Sequence, residues 1–303
     1  MNVYSPYAQL LRDRGFAGIR VRKVALNGGF TCPNLDGSKG RGGCTYCDNR
    51  SFSPVAGSRS IPILSQLDQG IAYFREKSRT ERFIAYFQTF SGTYAAIPRL
   101  RDVYLQAMSH PEVVGLSVST SPDCINAEVV ELLEEMGKRF FLTIEIGLQS
   151  SFDETLQRVN RAHTFDDFAR AMDLCAGRGF DLCVHVILGL PGETPVHYRR
   201  TALSLNRWSY GSIKIHPLHV VKGTVLASQH ARGEYNPLEF GEYIEGLVDF
   251  LERVPASVGV QRFTADAPPE MLVAPQWCRD KAGVLNAMKK EFIRRGSRQG
   301  CWA

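Results

Sequence analysis

Leu182-Cys183-Val184-His185-Val186-Ile187-Leu188-Gly189-Leu190-Pro191-Gly192-Glu193 decides how this chain folds. A strand-forming run, Leu182–Leu188, ends in a turn built on two glycines and a proline. Upstream, Phe165–Ala176 has helical period and is stopped by Gly177 and Gly179. Downstream, Pro195–Trp208 is a second helical segment, followed by another strand, Ser212–Leu218. The same alternation extends toward the N-terminus, with strands expected at Ile19–Ala25, Arg82–Phe87, Val113–Thr120 and Phe140–Ile146. Helices are expected at Leu64–Lys77, Pro98–Met108, Ala127–Met136 and Phe240–Arg253, and a seventh strand at Ser257–Phe263. Most strands start about 25–45 residues apart, the size of a βαβ unit. The fold class is therefore α/β: a partial (β/α)6 TIM-like barrel over 1–218, with an α/β extension over 219–303 packed on it. Ser151-Phe152-Asp153-Glu154 has capping-box spacing, which places a helix start directly after the fourth strand.

Composition narrows the class. The 303 residues, 44% hydrophobic and 22% charged, can build a core without disulfides or a structural metal. Disordered, collagen-like and disulfide-stapled chains are excluded. No apolar run is long enough for a membrane helix, and no basic-then-apolar leader opens the sequence. A reducing, cytoplasmic setting is the expectation, and there clustered cysteines read as metal-binding or catalytic. The formal charge of +5 permits an anionic partner without requiring one.

Three of the eight cysteines, Cys32, Cys44 and Cys47, form C-x11-C-x2-C just after the first strand. The spacer Pro33–Gly43 is rich in glycine, which lets backbone wrap closely around an object. A zinc ion normally has four protein ligands, and no histidine lies within sixty residues downstream of Cys47 or before Cys32, so a distant ligand such as Cys124 would be needed. An iron–sulfur cluster on three thiolates keeps one iron open for a substrate or cofactor. Buried free cysteines are the remaining reading, and Cys124 is best read that way.

The cysteine triad with Tyr46 before the last cysteine, the βα pattern and Gly189–Glu193 resemble the radical S-adenosylmethionine (SAM) superfamily, more narrowly the Elongator catalytic subunit and its short bacterial relatives. The resemblance runs from Gly28 to about Gln299, leaving no room for the Elongator acetyltransferase domain. It implies a [4Fe-4S] cluster on Cys32, Cys44 and Cys47, S-adenosyl-L-methionine as cofactor, and a 5′-deoxyadenosyl radical formed by reductive cleavage. It also implies an electron donor such as flavodoxin or ferredoxin, and raises RNA, including tRNA, as substrate.

Carried onto this sequence, the resemblance gives roles to residues at strand C-termini, the active face of such barrels. Tyr46 packs near the adenine, with Ile187 and Leu188 flanking it by backbone contact. Gln88 stands where a contact to the methionine amino group is made, although Gly92 occupies a position where asparagine is expected. Ser119 takes the ribose-contacting position, and Ser121 stands where relatives have arginine, which puts the substrate contact in doubt. Gln149 matches a cofactor-side glutamine, Arg161 the residue pairing with the cofactor carboxylate, and His185 a ribose-binding position. From the residues themselves, Ser117, Ser119 and Ser121 share one face, as do Glu145 and Gln149. A carboxylate inside a barrel points to a site or to a buried ion pair. Lys214 and His216 alternate inward at the barrel mouth as substrate-pocket candidates, and with Glu145 they complete the catalytic set.

The last helix carries Arg279, Lys281, Lys289, Lys290, Arg294, Arg295 and Arg298 against Asp280 and Glu291, a face suited either to an anionic partner or to solvent. Two other classes of function remain: a zinc-binding nucleic-acid interaction module, and a noncatalytic iron–sulfur sensor. The zinc module makes no use of Glu145, Gln149, Arg161 or the Gly189–Glu193 turn.

Overall fold

A computed structural model describes residues 2–264 and 267–303. Its strands are β1 (Val21–Leu26), β2 (Arg82–Phe87), β3 (Val113–Thr120), β4 (Phe141–Gln149), β5 (Asp181–Leu188), β6 (Ser212–Pro217), β7 (Val220–Val221), β8 (Gly259–Arg262) and β9 (Leu272–Ala274). Its α-helices are α1 (Tyr7–Leu11), α2 (Ile63–Lys77), α3 (Ile97–Met108), α4 (Ala127–Gly137), α5 (Asp153–Arg158), α6 (Phe165–Cys175), α7 (Pro195–Leu205), α8 (Val225–Ala231), α9 (Phe240–Leu251) and α10 (Lys281–Arg295). Strands β1 to β6 and β8 pair in that order, all parallel, into one seven-stranded sheet with helices in the connections. The seventh strand falls inside the expected Ser257–Phe263 run, so the 219–303 segment supplies an element of the sheet itself. β7 and β9 form a separate antiparallel pair.

The two faces of this sheet have opposite chemistry. Phe83, Ala85 and Phe87 of β2, Ile144, Ile146 and Leu148 of β4, and Val184, Val186 and Leu188 of β5 bury outward in the main apolar core. The alternate residues point inward and are polar: Lys23, Tyr86, Ser117, Ser119, Glu145, His185 and Lys214 are tied into one hydrogen-bonded set. Period-two alternation thus separates a hydrophobic shell from a polar interior. β1 and β8 are the edges. Lys23 Nζ reaches Gln261 Oε1 at 3.0 Å across the seam between them, while Val260 N donates to Ser5 O at 2.7 Å along the free edge of β8.

Gly177 and Gly179, at φ +72° and +77°, do follow α6. The capping box expected at Ser151–Glu154 is absent: α5 starts after Phe152, Ser150 Oγ accepts from Phe152 N, and Ser151 Oγ pairs with Thr201 Oγ1 at 2.9 Å. Thr201 on α7 competes successfully for the hydroxyl. A capping box instead opens α6, between Thr164 and Asp167. Among the described residues, no helix is long and apolar enough to cross a membrane.

Candidate active site

The Cys32–Cys47 segment has little regular structure and is held by its own backbone. Leu35 N and Asp36 N donate to Cys32 O, Gly43 N to Asn34 O, and Cys47 N to Cys44 O. Gly40 is required here because a Cβ would lie 2.2 Å from Asn34 Oδ1. The α5–α6 connection then fastens the loop over the barrel: Thr45 N donates to Val159 O at 3.0 Å, and Asn160 Nδ2 to Gly43 O at 2.7 Å. Lys39 pairs with Asp123 at 2.9 Å, and Asp123 accepts from Ser121.

Beneath the loop lies a cavity of about 250 Å³. All three cysteines line it, as do Tyr46, Gln88, Ser119, Ser121, Glu145, Gln149, Arg161, His185, Ile187 and His216. Residues more than 180 positions apart in sequence thus meet at one opening. Two sequence candidates lie elsewhere. Leu188 is buried outward in the apolar core, and Lys214 sits below the lining, bonded to Glu145 and, at 3.0 Å, to Tyr86 Oη. The Gly189–Glu193 turn stands behind the wall: Tyr235 Oη donates to Gly189 O, and Glu193 accepts from Ser150. Gly92 also has a steric reason, since a Cβ would meet Val118 at 2.7 Å and the Ser119 carbonyl at 2.9 Å.

Arg161 lies against the thiols. Its Nη1 is 3.6 Å from Cys44 Sγ, its Nη2 donates to Gly147 O at 3.1 Å, and its Nε to His163 Nδ1 at 3.0 Å. A Cβ at Gly147 would fall 2.7 Å from Gln149 Nε2 and 2.8 Å from Arg161 Nη2, so both side-chain ends would have to move. The strand breaks register there, and Gln149 takes φ +72°. Phe90, at φ +59°, also lines the cavity, and Asn160, at φ +53°, receives Asn34 Nδ2 at its carbonyl. Among the described residues these three are the non-glycines with positive φ, and such strain collects where a site dictates the backbone.

Glu145 organises the floor. Fully buried, it pairs with Lys23 at 2.5 Å and with Lys214, and accepts from Tyr86 Oη at 2.7 Å and Ser117 Oγ at 2.8 Å. Burial alone would raise its carboxyl; Lys214 and Lys23 outweigh burial and hold it well below the ordinary range. His185 Nε2 lies 2.8 Å from the same carboxylate, yet burial and the Lys214 charge push that imidazole down to about 4. A neutral His185 therefore donates Nε2–H to Glu145 and turns Nδ1 the other way. Glu145, Cys183 and His185 also hold potential ligand atoms within 4.8 Å of one another, but two lysines already neutralise the carboxylate. Sequence reasoning missed Lys23, Asn34 and Arg262, a further lining residue.

The donor set can be tested against a metal group. Structural zinc takes four protein ligands, whereas the loop brings three thiols to the cavity with Arg161 Nη1 3.6 Å from Cys44 Sγ, a set that suits a cluster with one open iron. Burial raises the Cys32 thiol, which is therefore a poor nucleophile unless a bound cation inverts the balance. The residues fit a cluster held on three sulfurs.

Comparison with known proteins agrees. Residues 38–205 match the model of the Radical SAM superfamily, and 211–294 that of the Radical_SAM C-terminal domain. The chain is 37% identical to protein YtqA of Bacillus subtilis over 283 residues, covering 93% of this chain and 88% of that protein. It is 29% identical over 190 residues to a tRNA uridine(34) acetyltransferase of Dehalococcoides mccartyi, covering 61% of this chain and 38% of the other. The solved structure of Elp3 from Methanocaldococcus infernus, lacking its N-terminal residues 1–46, has the same fold, with a TM-score of 0.70 at 19% identity over 93% of this chain and 65% of that one.

Proposed function

The chain belongs to the radical SAM superfamily, and from that premise we propose that it is an enzyme that cleaves S-adenosyl-L-methionine reductively to modify an RNA substrate. Cys32, Cys44 and Cys47 would hold a [4Fe-4S] cluster, which an electron donor of the flavodoxin or ferredoxin kind would reduce. Bound together, cluster and cofactor supply a 5′-deoxyadenosyl radical that takes hydrogen from the substrate. The observation that carries this reading is the convergence of Arg161 and the three thiols on one cavity.

The chain's own residues bind and orient. Arg161 presents a planar guanidinium to the cofactor carboxylate, which it matches better than a lysine would. Gln88 and Gln149 offer amide oxygens to the methionine amino group. Tyr46 and Ile187 form the walls for the adenine, and Ser119 and His185 face the ribose. Glu145, held by Lys214, acts by positioning His185 and Tyr86. His216 lines the substrate side. RNA is supported by the tRNA uridine(34) acetyltransferase among the relatives, although this chain spans only 38% of that protein.

The test is anaerobic reconstitution followed by reduction with S-adenosyl-L-methionine present. Formation of 5′-deoxyadenosine, with deuterium entering it from labelled tRNA fractions rather than from small metabolites, is the expected result. No 5′-deoxyadenosine with a competent reductant and tRNA would overturn the enzymatic reading, and label arriving only from small metabolites would overturn the RNA assignment.

A further inference from the structure

The cavity carries a cation with no work in the cofactor assignments. Among the described residues its charged lining is Arg161, Arg262 and Glu145. Arg161 is engaged beside Cys44, and Glu145 is neutralised by Lys23 and Lys214. Arg262 makes no ion pair in the ionic contacts among the described residues, and its Nε is buried without an acceptor. Its Nη2 stands 3.4 Å from Nδ1 and 3.3 Å from Nε2 of His216. Both are long hydrogen bonds to a single imidazole, whose neutral ring offers one lone pair. Nε and Nη2 share the edge of the guanidinium that grips carboxylate and phosphate with two parallel bonds. Of that edge, Nε is buried without an acceptor and Nη2 has only the imidazole among the described residues, an arrangement that an incoming acceptor relieves.

Its place in the sheet separates it from the cofactor clamp. Arg262 ends β8 and pairs in register with Lys214 of β6, on the edge that meets β1 across the Lys23–Gln261 seam. Arg161 follows β4, three strands away in the sheet order. The imidazoles nearest Arg262 add no opposing charge. Burial holds His216 well below its ordinary value, with the Arg262 charge acting in the same direction.

We propose that the Nε/Nη2 edge of Arg262, backed by His216, is a subsite for a compact oxyanion of the substrate, a carboxylate or a phosphate. Only the identification of that ligand as substrate rests on the functional reading above. The site would orient the substrate from the far side of the cavity and would favour anionic substrates over neutral analogues.

The test follows the His216 ring C–H resonances and the Arg262 Nε–H resonance of the full-length, reconstituted protein. It is titrated with acetate or with inorganic phosphate, against chloride at matched ionic strength. A saturable shift with one of these oxyanions, absent with chloride, is expected, and the stronger arm distinguishes carboxylate from phosphate. In Arg262→Gln the His216 shift should need at least about tenfold more anion, with Arg262→Lys between the two. No saturable shift with either anion in the wild type, or an equal response to chloride, overturns the proposal. So does abolition of the anion response by saturating S-adenosyl-L-methionine alone, since the cofactor would then own the subsite. Iron content of the same sample judges the functional reading separately: iron without an anion response sinks only the subsite, and the reverse sinks only the cluster.

Discussion

The thiol loop and the barrel floor hold their polar groups in opposite ways. On the floor, Glu145 satisfies its lone pairs and charge entirely within the protein, through Lys23, Lys214, His185, Tyr86 and Ser117. In the loop, backbone hydrogen bonds fix the path of the chain, but the cysteine side chains stay free of one another and the Tyr46 hydroxyl and Asn34 Oδ1 are buried without partners. A closed network supports the fold; an unsatisfied one awaits a ligand. Arg161 and Arg262 extend the contrast to the cavity wall, one engaged beside Cys44 and the other unpaired among the described residues.

If the floor is structural, damage there should be the most severe. Glu145→Leu leaves two lysines facing each other in the barrel without a counter-charge and should destabilise by about 3–5 kcal/mol, read as a lowered urea midpoint. A loss under about 1 kcal/mol would break the comparison. His185 gives the next largest effect. Its folded-state value, about 4, lies below the unfolded value of about 6.5, so the unfolded chain binds the extra proton between the two. Stability should therefore be complete above about pH 6.5 and fall as pH drops toward 4, by roughly 2–3 kcal/mol, a slope that His185→Gln should flatten. An unchanged slope would mean that other buried groups, His163 or His216, carry the acid sensitivity.

Changes near the loop should spare the fold and harm binding. Gly147→Ala pushes on the flexible ends of Gln149 and Arg161, so unfolding should shift by no more than about 1 kcal/mol while cofactor affinity falls about tenfold, measured by equilibrium dialysis. Cys44→Ala should be milder still for the metal-free protein, within about 1 kcal/mol in the same urea titration. A large loss there would place Cys44 with the floor residues instead.

Much of the floor was legible because alternation is a strong signal. Ser117 and Ser119 followed from Val113–Thr120, and Glu145 from a strand whose other residues are apolar. Lys23 was not legible: Arg22 and Lys23 are adjacent cations on β1, and only Glu145, 122 positions away, decides which one is inside. Arg262 was hidden for a related reason. Gln261 and Arg262 sit on a short edge strand beyond a register shift, so periodicity cannot say which faces the cavity. Leu188 was assigned to the adenine by the resemblance, through its backbone, and period two turns its side chain away from Ile187 and into the outer core. The loop's cysteines were legible as a set because their spacing in a glycine-rich segment has little other use.

The central claim is that the three thiols cradle a cluster at the mouth of the Arg161 cavity. Iron and sulfide content after anaerobic reconstitution tests it most directly. Wild type should hold about four irons per chain, with the broad visible absorbance of sulfur-to-iron charge transfer, and Cys44→Ala should hold almost none. One zinc per chain without that absorbance, or equal iron in both proteins, would contradict the account.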